Sequence, residues 1–170
     1  MNPSAWIARF GAEVPPPGPV LDVACGGGRH ARWFAARGCD VVAIDRDLTG
    51  VADLAGSPRV ELVEADLEDG SPFPVVDRPF GAVVVTNYLW RPILDDLAAL
   101  VGPGGWLLYE TFAAGNERFG RPANPEHLLR RNELVDLALR QALVVVAYED
   151  VEVVEPRRAA VQRIAATRER

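Results

Sequence analysis

A run of branched apolar residues leads directly into three consecutive glycines and then into a helical pattern: Val20-Leu21-Asp22-Val23-Ala24-Cys25-Gly26-Gly27-Gly28-Arg29-His30-Ala31. No other stretch of the chain constrains its fold as tightly. A buried strand that turns at once into a helix needs residues without a Cβ, because the backbone must bend sharply and leave room for whatever approaches the turn. The helix that follows aims unpaired N–H groups and its positive dipole end at that space. The remainder of the chain repeats the theme. Apolar runs at Val20–Ala24, Val41–Ile44, Val60–Glu64, Ala82–Val85, Trp106–Thr111, Leu143–Tyr148 and Ala159–Ala166 read as strands. Most lack polar alternation, as expected for a sheet covered on both faces. Helical patterns fall at Arg29–Arg37, Pro92–Leu100 and Pro125–Arg140, the last in two pieces with Asn132 capping the second. Alternation of this kind predicts a doubly wound α/β domain with a mostly parallel, Rossmann-like sheet. The acidic Glu149-Asp150-Val151-Glu152 reads as a strand connection, so the last two strands should form an antiparallel hairpin.

Residues 1–18 read differently. Asn2 can cap a short helix with Pro3 in its first turn, and Trp6, Ile7 and Phe10 then share one face, with Gly11 as the stop. Val14-Pro15-Pro16-Pro17-Gly18-Pro19 reads as a stiff linker. At 170 residues the expectation is one domain spanning 1–170. A hydrophobic share of 49% against 25% charged excludes a disordered chain. The net charge of −6 argues against a nucleic-acid partner, which normally meets a basic face. No window holds the 18 or so apolar residues of a membrane span, and the start lacks the pattern of a secretion signal, so a cytoplasmic location is expected. Two cysteines suggest no disulfide framework, and no His, Cys and Asp cluster has metal-ligand spacing.

The glycine turn has competing readings. Gly26-x-Gly28-x-x-Ala31 matches a degenerate dinucleotide fingerprint, which would make the chain an NAD-type oxidoreductase. Two details oppose this. Asp22 stands just before the glycines, where it would repel a pyrophosphate and attract an amino group or a sulfonium. The spacing Asp22-x-Ala24-x-Gly26-x-Gly28 also places the ligand earlier along the loop. A purely structural turn that binds nothing stands beside both readings.

This pattern resembles the first motif of the class I S-adenosylmethionine-dependent methyltransferases, an acid followed by three alternating glycines, with Ala24 at the first glycine position. The resemblance extends along nearly the whole chain. It implies that Asp22, Ala24, Cys25, Gly26, Gly28 and Arg29 surround the cofactor loop. Asp45, 23 residues after Asp22 and followed by Arg46, would accept from the ribose hydroxyls. Asp66 and Leu67 would meet the adenine, and Asn87 would close over the cofactor after the fourth strand. The implied cofactor is S-adenosylmethionine, leaving as S-adenosylhomocysteine. Val101-Gly102-Pro103-Gly104-Gly105 is similar to the family's turn before the fifth strand, and the family's sheet ends in an antiparallel seventh strand. Asn87-Tyr88 lacks the two prolines of the amino-methylating members, so amine methylation is not supported. Within the class, Cys25, Arg29 and Tyr148-Glu149-Asp150 are similar to the small tellurite-resistance-type branch, which implies a small or thiol-like acceptor. A non-enzymatic protein that binds the same cofactor is the remaining alternative.

Methyl transfer from a sulfonium is an in-line displacement, so alignment of the reactants can supply most of the catalysis. No base is required for an acceptor that is already nucleophilic, and none stands out in the sequence. His30 suits packing or cofactor contact, His127 suits a solvated helix start, and Cys25 suits either a reactive thiol or a small residue at a tight turn. The long connection Ala113–Asn124 carries Arg118, Phe119 and Arg121 at the carboxyl ends of the strands, where open α/β sheets bind ligands. With Tyr88, these three are the expected contacts for a small-molecule acceptor, either anionic or planar.

Overall fold

The chain is described by a computed structural model covering residues 2–75 and 78–170; Met1, the start of the predicted N-terminal segment, lies outside the described residues. Seven strands form one sheet: β1 (Val20–Val23), β2 (Val41–Asp45), β3 (Val60–Glu64), β4 (Phe80–Thr86), β5 (Val101–Phe112), β6 (Val144–Val153) and β7 (Ala159–Thr167). Their order is β3-β2-β1-β4-β5-β7-β6. The first five run parallel, while β7 is antiparallel to both β5 and β6. This is the expected architecture. β1, inside the sheet, is buried along its whole length, which explains why its residues other than Asp22 are apolar.

Helices cover both faces. α1 (Ala5–Gly11) and α2 (Arg29–Ala36) pack Trp6, Ile7, Phe10 and Phe34 against Val20, Val41, Val84 and Leu108. α3 (Leu94–Ala99) and α4 (Glu133–Arg140) pack Leu94, Leu97, Leu134 and Leu137 against Leu21, Ile44, Val83 and Leu107. No helix is long and apolar enough to cross a membrane, among the described residues.

Several local expectations are corrected. Ser4 rather than Asn2 caps α1, its hydroxyl accepting from the Ile7 N–H at 3.2 Å, so Pro3 lies ahead of the helix. Gly11 is inside α1 rather than after it. A Cβ there would come 2.7 Å from Phe34 Cζ, so its lack of a side chain lets α1 approach α2. The proline run is a turn closed by the Gly18 N–H on the Pro15 carbonyl at 2.9 Å, not an extended linker, and Val14 beside it is buried. The acidic stretch belongs to β6, where Glu149 faces Arg163 and Glu152 meets Arg158. Charges of this kind suit an edge strand, which must discourage further pairing. The predicted Pro125–Arg140 helix is broken. Pro125–His127 forms one tight turn, Leu129 forms a bridge with Ala113, and α4 follows. Asn132 precedes α4 in a left-handed conformation (φ 61°) and makes no side-chain cap; the Arg130 N–H is taken by Glu133 at 2.7 Å instead.

The sheet order reverses between β1 and β4, which leaves a crevice above their carboxyl ends. The glycine turn opens onto that crevice.

Candidate functional site

The turn after β1 takes its shape from alternate residues. Ala24, Gly26 and Gly28 all adopt left-handed backbone angles (φ 51°, 53° and 67°). The every-second-residue spacing seen in the sequence is therefore a conformational requirement. Alanine meets it at a cost of roughly 1–2 kcal/mol, since its Cβ crowds the backbone there. The two glycines do different work. A Cβ on Gly26 would meet nothing within 4 Å, so that face of the loop is open. A Cβ on Gly28 would overlap Val51 and Arg32, which makes Gly28 a packing residue. Gly50, in the tight turn Thr49–Leu54 after β2, is the matching surface: its own Cβ would come 3.0 Å from the Gly26 carbonyl.

Asp45 ends β2 and ties this loop down. One carboxylate oxygen accepts from the Gly26 N–H at 2.7 Å and the other from the Asp47 N–H at 3.1 Å. Each oxygen keeps a further lone pair for a ligand donor. After β3, the Asp66 carboxylate accepts from the Glu68 N–H at 2.9 Å, which holds the Asp66–Leu67 turn in place. These loops enclose a cleft of about 230 Å³ lined by Ala24, Asp45, Arg46, Asp66 and Leu67, with Glu68 and Tyr88 closing one end. Residues read from three separate sequence segments thus share one cleft.

Tyr88 and Glu68 also border a second cleft of about 240 Å³. Asn87 and Leu89 line it from the loop after β4, Thr111 and Phe112 from the end of β5, and Pro122 and His127 from the long connection. Tyr88 is thus the wall between the two clefts. The Tyr109 hydroxyl donates to its carbonyl at 2.8 Å and fixes its backbone. The Tyr88 hydroxyl is buried without a hydrogen-bond partner. Burial first, and then the charge of Glu68, hold this phenol protonated well beyond its usual range, so it remains a donor.

The other predicted residues fall in distinct places. Asp22 is only 1% exposed and accepts from the Ala31 N–H at 2.9 Å, anchoring the first turn of α2 behind the loop. Burial raises its pKa to about 7, with the Ala31 bond and Arg29 opposing the rise. Cys25 is buried, and the loss of water together with the Asp22 and Asp45 charges pushes its thiol up to about 12. It is a small core residue and not a nucleophile at neutral pH. Arg29 is half-buried beside Asp22 and His30. His30 itself is buried: Nε2 accepts from the Ser4 N–H at 3.2 Å, which leaves the proton on Nδ1, 3.5 Å from Thr86 Oγ1. It joins α1, α2 and β4.

The long connection does not place its residues as a group. Arg118 pairs with Glu152 at 2.6 Å and lies over the Phe119 ring, which Arg158 covers at 4.7 Å. Arg118 and Phe119 are therefore held against β6, and Arg121 is exposed; none of the three lines either cleft. Of the residues of this segment that do reach the second cleft, Pro122 is held by Asn116, whose side-chain amide donates to its carbonyl at 2.9 Å, and His127 by Arg91. Its guanidinium grips Glu133 through two nitrogens at 2.7 and 3.0 Å, and donates to the carbonyls of Glu126 and Leu128 at 2.8 Å each. Sequence reasoning missed Gly50, Glu68, Arg91 and the cleft position of His127. Only Glu68 carried a signal, its two-residue distance from Asp66.

Comparison with known proteins is consistent along the chain. The profile of a family described as methyltransferase domain matches residues 20–105. A probable S-adenosylmethionine-dependent methyltransferase of Mycobacterium tuberculosis is 31% identical over 141 residues, covering 75% of this chain and 49% of that protein. The chain therefore spans about half the length of that relative. TehB from Haemophilus influenzae superposes with a TM-score of 0.73 at 18% identity, covering 94% of this chain and 60% of that one. A putative S-adenosylmethionine-dependent methyltransferase from Listeria monocytogenes superposes with a TM-score of 0.72 at 16% identity, covering 97% of this chain and 98% of that one.

Proposed function

The chain belongs to the methyltransferase-domain family, and on that premise we propose that it binds S-adenosylmethionine above the carboxyl ends of β1, β2 and β3 and methylates a small molecule. The observation that carries this reading is the shared cleft of Ala24, Asp45, Asp66 and Leu67. The residues present suit the cofactor. The open face of Gly26 admits a ligand against the backbone, where any side chain would intrude. Asp45 has the lone pairs to receive two vicinal hydroxyls. Asp66 can accept from an exocyclic amine while the Leu67 N–H donates to a ring nitrogen. Arg46 lines the same cleft, Cys25 and Arg29 flank the loop, Asn87 borders the second cleft, and Asp22 lies behind the loop. When bound, the cofactor supplies a sulfonium methyl group and leaves as S-adenosylhomocysteine.

Tyr88 divides the cofactor cleft from the second one, which makes the second the place for the acceptor. Its volume of about 240 Å³ suits a small molecule, and a net charge of −6 disfavours a polyanionic partner. On that side we place Tyr88, Asn87 and His127; Arg121 is exposed and lines neither cleft. Arg118 and Phe119 are engaged with Glu152 and Arg158 instead.

Calorimetry with S-adenosylmethionine, S-adenosylhomocysteine and NAD tests the cofactor assignment. The first two should bind and NAD should not. Asp45→Ala should weaken binding by a few kcal/mol at most, as it removes two charge-assisted hydrogen bonds that contribute roughly 1.5–3 kcal/mol each. Binding of NAD without either sulfur compound would overturn the assignment.

A further inference from the structure

We propose that the cleft beyond Tyr88 takes a small aromatic acceptor bearing a hydroxyl and no negative charge, and that His127 receives the proton this hydroxyl gives up. The inference rests on the cofactor reading above and adds to it the chemistry of the second reactant.

Three observations carry it. The walls include two aromatic rings, Tyr88 from the loop after β4 and Phe112 from the end of β5, together with the apolar Leu89 and Pro122. Flat rings bury well against such surfaces. The charged lining points the same way. Glu68 is the carboxylate of this cleft, and Asp45 and Asp66 stand in the adjoining one. No arginine is among the residues lining this cleft: Arg118 is bonded to Glu152 at 2.6 Å, and Arg157, which lies over the Phe112 ring at 5.2 Å, donates to the Arg121 carbonyl. Of the second cleft's lining, His127 is the one side chain that offers a nitrogen base to an acceptor hydroxyl. It is exposed and held in place by its backbone, since Arg91 grips the Glu126 and Leu128 carbonyls on either side of it.

The step balances with these groups. A lone pair on the acceptor oxygen forms the new bond to the methyl carbon. The electron pair of the broken carbon–sulfur bond stays on sulfur, and the hydroxyl proton passes to the free ring nitrogen of His127 and on to water.

Three phenols that differ only in the charge of their substituent test the proposal: 4-methylphenol, tyramine and 4-hydroxybenzoate. Binding to the protein without cofactor is read by calorimetry, and methyl transfer by release of S-adenosylhomocysteine. Tyramine and 4-methylphenol should bind at least tenfold more tightly than 4-hydroxybenzoate and should be methylated. Glu68→Gln should narrow the gap between tyramine and 4-methylphenol. His127→Asn, an exposed substitution that leaves the fold intact, should lower kcat at least tenfold with cofactor affinity unchanged, and added imidazole should restore part of the rate. A preference for 4-hydroxybenzoate, no methylation of any of the three, or full activity in His127→Asn would each overturn this inference while leaving the cofactor assignment standing. Failure of S-adenosylmethionine to bind would instead remove the premise.

Discussion

Ala24, Gly26 and Gly28 share one backbone conformation but not one task. Left-handed angles cost any residue with a Cβ roughly 1–2 kcal/mol, and this chain bears that cost at Ala24. At Gly26 the surroundings are empty, so Gly26→Ala adds little beyond backbone strain. At Gly28 a methyl group must displace Val51 and Arg32 as well, and overpacking of this sort costs a further 1–3 kcal/mol or so. Denaturant titration should therefore find Gly28→Ala about twice as destabilising as Gly26→Ala. Calorimetry should find the reverse order for S-adenosylmethionine affinity, since a methyl group at Gly26 would occupy the open face of the loop while one at Gly28 would face Val51 and Arg32. Equal stability losses would mean that the turn after β2 yields at no cost.

Among the elements, the segment between β5 and α4 has little regular structure, yet it is anchored. Glu133 in the first turn of α4 is 15% exposed, its partner Arg91 is 21% exposed, and the pair is bidentate. Hydrogen bonding to Arg91 is what lowers the Glu133 carboxyl against the upward push of its burial. Such a pair need not add net stability, but removing one partner strands the other. Arg91→Ala should cost about 2–3 kcal/mol, the scale of hydrogen bonds to a charged group. The segment it releases carries His127, not the cofactor loops. Acceptor KM should therefore rise with S-adenosylmethionine affinity unchanged, and Arg91→Lys should recover only part of the loss because a single ammonium cannot form the fork. Equal loss of cofactor binding would place Arg91 in the wrong cleft.

Across the whole molecule, two buried groups around α2 push the pH dependence of stability in opposite directions. The Asp22 pKa rises from 3.8 to about 7 through burial, so the folded state holds a proton that the unfolded state has released. This contribution is fully present below about pH 4 and is lost as pH rises through 7. Burial first, and then Arg29, lower His30 from 6.5 to about 4, so the unfolded state binds the extra proton. That contribution is present above about pH 6.5 and is lost as pH falls through 4. Between about pH 4 and 6.5 the two slopes oppose each other. Relative to the wild type, Asp22→Asn should gain stability as pH rises through this window, while His30→Gln should lose it. Chemical denaturation at several pH values reads both slopes, and parallel slopes would show that one of the two groups is not buried in its assigned protonation state.

Most strands were legible from the chain because burial on both faces of a sheet favours apolar runs, as at residues 41–44 of β2 and 82–85 of β4. The glycine turn was legible because left-handed angles at every second residue leave a spacing in the letters. Asp45 and Asp66 could be read because one ends β2 and the other stands two residues beyond β3, so strand order alone carries them to the crevice. The acceptor side could not be read in this way. Arg118 and Phe119 looked available in sequence, but Glu152 takes up Arg118 from 34 residues away and Arg158 covers Phe119 from the far end of the hairpin. His127 looked like a solvated helix start, yet the grip of Arg91 on the carbonyls beside it sets it across from Tyr88. Backbone requirements and burial act along a few neighbouring residues and so leave a local record. The pairing of long charged side chains depends on which loops the finished sheet brings within a few ångströms, and nothing local encodes that.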